Sequence, residues 1–337
     1  MPRALVTGAT GLVGSHIVER LTADGWSVRA LVRDPSRARW LGDGGAELRR
    51  GDVLDAPGFE RAALGCDAIF HTAAAISPTG GWESFRAPNV DGTRAAVAAA
   101  ARAGARLLHV SSVAVYGSGS RYRSAPTDEQ TPLAALPERA FYARSKRESE
   151  EMVLGAHARG EIWAAAVRPD WIYGRRDRQF IPRAAVLFRA PVIPLINGGR
   201  STLPMVHAAN VADGAVRAIA TDAAGGRAYN LANDYDVTVA DFVRLGAQGL
   251  GTRARTVNVP LPAARAGMQA IKAIVTVLRG REMASHGDST LDALSKNNPF
   301  SSERARRELG WDPPVRPGTG IPEAFRWYRD HAPRETA

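Results

Sequence analysis

A chain of 337 residues is long enough for a full α/β core plus an accessory lobe, and an apolar fraction of 45% excludes a disordered or fibrous protein. No apolar run approaches the roughly 18 residues that a membrane span needs, and the single cysteine, Cys66, excludes an intrachain disulfide and suits a reducing cytoplasm. The net charge of +10 comes from arginines scattered along the chain, with no helix carrying a basic stripe interleaved with aromatics, which argues for attraction to anionic small ligands rather than nucleic-acid recognition.

Met1-Pro2-Arg3 leads straight into a strand starting at Ala4, leaving no room for a signal peptide. Gly8, Gly11 and Gly14 follow that short apolar run and open the amphipathic segment from Leu12 to Ala23, so the pattern predicts a strand turning tightly into a helix. Such a turn suits phosphate: glycines let backbone N–H groups approach a pyrophosphate, and the helix start adds unpaired donors and a positive dipole end. Thr10, Leu12 and Val13 lie inside this turn and join the three glycines as candidate cofactor contacts. The spacing, Gly-x-x-Gly-x-x-Gly, is one residue looser than the commonest dinucleotide fingerprint.

Ser27 to Val32 alternates and is β-branched enough for a second strand. In a dinucleotide fold the end of this strand faces the adenosine ribose, where an acid holds the 2′-hydroxyl and an arginine accommodates a 2′-phosphate. Arg33, with Arg37 one turn on, therefore favours NADP over NAD, with Asp34 a competitor for the ribose hydroxyl. Residues 46–50 predict a third strand, followed by Gly51-Asp52-Val53, where Asp52 either accepts from the adenine amino group or caps the next helix.

Residues 68–72 predict a fourth buried strand, and the small residues from Ala73 to Ala75 let a cofactor lie over the strand ends. A loop with Trp82 and Phe85 leads to an alanine-rich helix over 89–103, built to pack closely against the sheet or a second subunit. A fifth strand over 107–112, a surface loop over 117–137, a long helix over 138–158 and a sixth strand over 162–168 complete the alternation. The pattern predicts an α/β fold, a doubly wound parallel sheet of Rossmann type with both faces covered and ligands at the carboxyl ends of the strands.

Beyond Gly174 the composition shifts to proline-punctuated short elements: helices over 180–189, 239–250, 262–279 and 324–331, strands over 227–231 and 256–259. The expected division is a dinucleotide-binding domain over 1–174 and a smaller substrate-binding lobe over 175–337, some of whose elements return to the core. The 262–279 helix is amphipathic enough to raise a membrane-surface reading, but its polar face carries few charges.

Chemistry converges on Ser112, closing the fifth strand, and on Tyr142 and Lys146, four apart on one face of the following helix. A phenol has a pKa of about 10 in water, and a neighbouring ammonium favours the phenolate. Tyr142 is then the acid or base that exchanges a proton with a substrate hydroxyl or carbonyl, the Ser112 hydroxyl polarises the same oxygen, and a nicotinamide exchanges hydride with the carbon. No metal site is expected.

Several stretches together resemble the extended short-chain dehydrogenase/reductase superfamily, also called the NAD-dependent epimerase/dehydratase family. They are Thr7-Gly8-Ala9-Thr10-Gly11-Leu12-Val13-Gly14, Gly51-Asp52-Val53, His71-Thr72-Ala73-Ala74, Asn89-Val90-Asp91-Gly92-Thr93, Ser111-Ser112-Val113-Ala114-Val115-Tyr116-Gly117, Tyr142-Ala143-Arg144-Ser145-Lys146 and Arg168-Pro169-Asp170-Trp171-Ile172-Tyr173-Gly174. The resemblance covers nearly the whole chain. It implies that Ser112, Tyr142 and Lys146 are catalytic, that Lys146 also holds the nicotinamide ribose, that Pro169 and Ile172 border the nicotinamide, and that Asp52, Val53 and Ala73 line the cofactor. It also implies a cytoplasmic homodimer through the helices containing Ala95 to Ala101 and Tyr142.

Departures from the family pattern narrow the branch. Dehydratase members place an Asp-Glu pair after the catalytic hydroxyl residue, where this chain has Val113-Ala114. Sugar-nucleotide members carry a diphosphate-gripping arginine where this chain has Leu203, although Arg200 is close by in sequence. Segments 180–183, 210–213 and 300–311 look more like the 3β-hydroxysteroid dehydrogenase and dihydroflavonol-reductase-like branch. The expectation is an NAD(P)-dependent oxidoreductase that interconverts a secondary alcohol and a ketone on an apolar, steroid- or flavonoid-like substrate, bound against Trp82, Phe85, Ser112, Trp171 and Met205. The alternatives are a sugar-nucleotide epimerase with tightly bound NAD and a non-catalytic dinucleotide-sensing protein.

Overall fold

A computed structural model describes residues 1–117, 126–269 and 294–332. Its centre is a seven-stranded sheet in the order β10-β6-β5-β4-β1-β2-β3, every neighbouring pair parallel. The strands are β1 (Arg3–Thr7), β2 (Ser27–Val32), β3 (Glu47–Arg50), β4 (Ala68–His71), β5 (Arg106–Val110), β6 (Ala164–Pro169) and β10 (Ala228–Leu231). Successive residues of a strand point to opposite faces, and both faces here are apolar. Leu5, Ile69 and Leu107 join one core with Phe59, Ala96, Ala99 and Val153, while Val6, Phe70 and Leu108 join the other with Ile17, Leu21, Val211 and Ala215.

The first face is covered by α3 (Ala56–Ala63), α5 (Gly92–Ala103) and α6 (Phe141–Ala158), the second by α1 (Leu12–Ala23) and α8 (Ala208–Ala220). The alanine-rich helix packs on α3 and the sheet, burying Ala95, Ala96, Ala99 and Ala100 against Phe59, Ala62 and Ala63. It starts later than the periodicity suggests. Pro88 has no N–H to give the helix ladder, and the turn Ala87–Asp91 widens to π geometry between α4 (Trp82–Arg86) and α5.

Two further boundaries differ from expectation. β5 ends at Val110, so Ser112 lies past the strand and caps a 3-10 turn, Val113–Tyr116, by accepting the Ala114 N–H at 3.1 Å. That local side-chain bond takes the place of a further ladder bond. Helix α6 begins at Phe141 rather than 138: Ala140, with φ −76° and ψ 55°, is its non-helical cap residue, and the Ala140 N–H closes a separate turn back to the Pro137 carbonyl.

The second half of the chain contributes β10 to the main sheet, paired along β6 from Ala228↔Ala166 to Leu231↔Pro169. Its other strands form two small parallel pairs: β7 (Trp171–Tyr173) with β9 (Met205–His207), and β8 (Ile193–Ile196) with β11 (Thr256–Val259). A separate core of Tyr173, Ile181, Leu195, Phe242, Ile321 and Phe325 holds these to α7 (Phe180–Ala185) and α9 (Val239–Leu250). The closing helix, Pro317–His331, starts seven residues before the expected 324 and lies against α9 at two glycines; a Cβ on Gly249 would meet the Pro322 carbonyl oxygen at 2.5 Å. Of the expected helix over 262–279, residues 261–269 are helical and 270–279 lie outside the described residues.

Candidate active site

The order of the sheet reverses at β1, whose neighbours β2 and β4 lead to opposite edges, and a crevice between β1 and β4 is where such sheets take ligands. The glycine turn sits at this point. Gly8 has φ +64°, and a Cβ there would meet the Ala73 nitrogen at 2.7 Å and Thr72 Oγ1 at 2.8 Å. A Cβ on Gly14 would run into the Gly8 carbonyl oxygen, so β1 and α1 meet backbone to backbone. Helix α1 has Gly11 at its N-cap, no side-chain cap and no acid in its first turn, leaving its first N–H donors for a ligand. A dinucleotide pyrophosphate fits this cradle.

Side chains lock the cradle to its surroundings. Thr72 Oγ1 donates to the Thr7 carbonyl at 2.7 Å, and the Ala73 N–H donates to Thr7 Oγ1 at 3.3 Å, fixing the end of β4 to that of β1. Arg33 is exposed just past β2. Asp34, its rival for the ribose, is occupied as a cap: Oδ1 accepts the Ser36 N–H at 3.0 Å and the Ser36 hydroxyl at 2.6 Å. Asp52 accepts the Leu54 N–H at 3.0 Å, and Val53 packs against Gly92, where a Cβ would stand 3.0 Å from its Cγ2.

Ser112, Tyr142 and Lys146 come together at the carboxyl end of β5. Ser112 stands beside the Tyr142 phenol, close enough for its hydroxyl to favour the phenolate. Lys146, only 2% exposed, donates to the Val110 carbonyl at 2.7 Å and stands 3.4 Å from His109 Nε2. Burial holds the Lys146 ammonium down to about 8, against a smaller opposing effect of the Glu150 carboxylate. The phenol does not behave as the sequence suggests. Burial raises Tyr142, with the charge of Asp170 acting the same way, and the Ser112 hydroxyl only partly offsets them.

Several residues that hold this arrangement were given no role from the sequence, some of them quoted only within the stretches that carry the family resemblance and others, such as Glu150 and His109, not at all. Asn89, in the π turn, makes a two-way bond to the backbone of Ala75 at 2.7 and 3.0 Å, and its amide also donates to Ser145 Oγ at 2.9 Å. Ser145 in turn donates to the Tyr142 carbonyl at 2.8 Å, so one asparagine ties the cradle wall to the first turn of α6. Glu150 accepts from Arg168 Nε at 3.0 Å, and Arg168 donates to the Tyr116 hydroxyl at 2.7 Å. Glu150 follows Lys146 by four residues and Tyr142 by eight, and that spacing on one helix face was its available signal. His71 and His109 stack with centroids 5.7 Å apart, and burial holds His71 down to about 3 and His109 well below its ordinary value.

The expected substrate contacts divide. Trp82 and Phe85 stand against Phe141, at 6.4 and 6.1 Å between centroids, and Arg144 lies over the Trp82 ring at 4.6 Å. Phe85 is buried, Trp82 partly so. Trp171 packs on Phe180 at 5.6 Å, and Met205, paired with Trp171 across β7 and β9, has no exposed surface in the small-lobe core. Pro169 closes β6 and Ile172 lies in β7, half-buried. Among the described residues no group of histidine, cysteine and acidic side chains is placed to hold a metal ion.

Over residues 4–232 the chain matches the model of the NAD dependent epimerase/dehydratase family. It is 32% identical over 312 residues to the 4-hydroxy-2-methyl-3-oxo-4-farnesyl-3,4-dihydroquinoline-1-oxide ketoreductase of Stigmatella aurantiaca, a match spanning 92% of this chain and 91% of the relative. It is 28% identical to the 3 beta-hydroxysteroid dehydrogenase/Delta 5-->4-isomerase of Mycobacterium tuberculosis, over 97% and 90% of the two chains. Among solved structures, that of gox2253 is similar with a TM-score of 0.76 and 28% identity, over 98% of this chain and 99% of that one.

Proposed function

The chain belongs to the NAD-dependent epimerase/dehydratase family, as an enzyme of the extended short-chain dehydrogenase/reductase type, and from that premise we propose that it is an NADP(H)-preferring oxidoreductase interconverting a secondary alcohol and a ketone on an apolar, ring-bearing substrate. The observation that carries this reading is the placement of the Tyr142 phenol beside Ser112, with Lys146 one turn along the same helix and anchored to the end of β5. Similarity to a reductase of a farnesylated quinoline oxide and to a hydroxysteroid dehydrogenase supports the apolar substrate class.

When bound, the nicotinamide supplies or accepts the hydride at the reacting carbon. In the reduction, Tyr142 donates its phenolic proton to the carbonyl oxygen, which Ser112 holds by its hydroxyl; in the oxidation, the same phenol oxygen takes the proton back. A phenol raised by burial is a proton donor in its resting state, which suits the reductive direction. Lys146 reaches the ribose by turning from the Val110 carbonyl, Gly8, Thr10, Gly11, Leu12, Val13 and Gly14 cradle the pyrophosphate, and Pro169 and Ile172 border the nicotinamide. Asp52, Val53 and Ala73 line the adenine side and Arg33 meets the 2′-phosphate. Trp82 and Trp171 form the substrate wall, backed by the buried Phe85 and Met205.

The test is a purified sample offered NADPH or NADH with a panel of steroid, flavonoid and prenylated-ring ketones. Cofactor oxidation with at least one of them, faster with NADPH, is the expected result. Turnover of a UDP- or dTDP-sugar without added cofactor would replace this reading with epimerisation.

A further inference from the structure

We propose that His16, His207 and Gly174 build an internal site for a single water molecule, which joins helix α1 to the start of α8. Both rings are buried, 3% and 2% exposed, and the Nε2 atom of each has no hydrogen-bond partner among the described residues. Buried polar side-chain atoms are nearly always paired, so two such nitrogens on neighbouring rings point to a shared ligand.

The remaining contacts assign each ring its hydrogen. His16 Nδ1 lies 2.8 Å from the Leu12 carbonyl oxygen, which can only accept, so Nδ1 carries the hydrogen and Nε2 presents a lone pair. His207 is the opposite. As the N-cap of α8 its Nδ1 accepts the Ala209 N–H at 3.2 Å, which places its hydrogen on Nε2. Burial holds His16 at about 4 and His207 at about 3, so both rings are neutral at pH 7.

An acceptor and a donor therefore stand side by side. The rings meet edge to face with centroids 5.9 Å apart and make no direct hydrogen bond. Gly174 leaves room between them: a Cβ there would stand 3.4 Å from His207 Nε2 and 3.6 Å from His16 Cε1, ordinary contact distances, with the Ala208 Cβ at 3.3 Å. Room for about one atom, bordered by polar groups, suits an interior water.

The two groups also select the occupant. An anion would meet the His16 lone pair, and a metal ion would meet the His207 N–H. Water accepts from His207 and donates to His16, satisfying both. The site fastens α1, which begins at the glycine turn, to α8, whose cap residue is itself held through its backbone N–H by the Asp234 carboxylate at 2.9 Å. Neither histidine belongs to the pyrophosphate cradle or to the proton-transferring group, so the proposal stands apart from the redox reading.

A high-resolution crystal structure and nitrogen-15 spectra of the seven histidines test it. One water oxygen about 2.7–3.2 Å from both Nε2 atoms is expected, with the ring hydrogen on Nδ1 of His16 and on Nε2 of His207. His16→Phe and His207→Phe should each lower the melting temperature by about 2–6 °C, and the double variant should fall short of the sum, because neither nitrogen is then left to satisfy. Where His207→Phe fails to fold for want of its cap, His207→Asn, which keeps an acceptor for the Ala209 N–H, serves in its place. Absence of a water between the rings, a direct bond between the two nitrogens, an ion in that place or the opposite tautomer at either ring overturns the proposal. So do losses of melting temperature that add in full.

Discussion

Lys146 and Val110 join α6 to the end of β5: the lysine ammonium donates to the valine carbonyl oxygen at 2.7 Å, the last carbonyl of the strand. The contact aims the lysine at the strand ends and holds it in a place where its charge is disfavoured. His109, one residue earlier and 3.4 Å from the ammonium, is held well below its ordinary value by burial and by the lysine's charge.

A pH dependence of stability follows. Lys146 has an ordinary value of 10.5 and titrates at about 8 when folded, so between these limits the unfolded chain holds a proton that the folded chain has released. Stability therefore rises with pH across that window, and below pH 8 the full penalty applies, at most about 3 kcal/mol. Lys146→Met should remove this rise. Urea denaturation of both proteins at intervals from pH 7 to 10.5 checks it; parallel curves would mean that another group titrates.

Tyr142→Phe keeps the ring and removes the proton. It should lower kcat by about 10²- to 10⁴-fold while leaving the NADPH dissociation constant within about two-fold, measured by calorimetry. An undiminished rate would remove Tyr142 from the chemistry.

Arg33→Ala should weaken NADPH by about 10- to 100-fold and NADH by no more than about three-fold, because a charge-assisted phosphate contact is lost only from the first. Asp34, held by Ser36, is not positioned to take over the discrimination. Equal losses for both cofactors would make Arg33 ordinary surface.

Glu150 and Arg168 are buried together at 4% and 6% exposure. Glu150→Ala should cost about 3–5 kcal/mol, because the guanidinium keeps its charge and loses its main partner. Adding Arg168→Met should recover most of that loss, and a chemical denaturation series over the single and double variants measures it. A double variant no more stable than the single would show that the cost comes from the cavity.

Gly14→Ala and Gly11→Ala differ in the room that each position leaves for a Cβ. At Gly14 a Cβ meets the Gly8 carbonyl and, at 2.8 Å, Thr72 Oγ1, whereas at Gly11 its nearest neighbour is the Gly8 oxygen at 3.1 Å. Gly14→Ala should destabilise by about 1–3 kcal/mol and abolish detectable NADPH binding, with Gly11→Ala the milder of the two by thermal melting. The reverse order would mean that α1 does not pack on β1 as described.

The chain's periodicities were enough for Leu12–Ala23, Ser27–Val32, Val239–Leu250 and Thr256–Val259, which fold with the bounds their patterns predict. Ser112 was legible as a residue near a strand end but not as the cap of a separate turn, because the competing bond to Ala114 leaves no trace in hydrophobic spacing. Asn89 was invisible as a tie between Ala75 and Ser145, since its partners lie 14 and 56 residues away.

What the amino-acid order determined by itself was local: which segments are strands or helices, that glycine must occupy the first turn, and that Tyr142 and Lys146 share a helix face. Tertiary structure alone decided that β10 pairs along β6 in the main sheet and that burial, rather than the lysine, sets the Tyr142 phenol. The division has a physical cause. Backbone periodicity and steric limits act over a few residues, whereas desolvation and Coulomb interaction depend on which groups the folded chain brings within ångströms of one another.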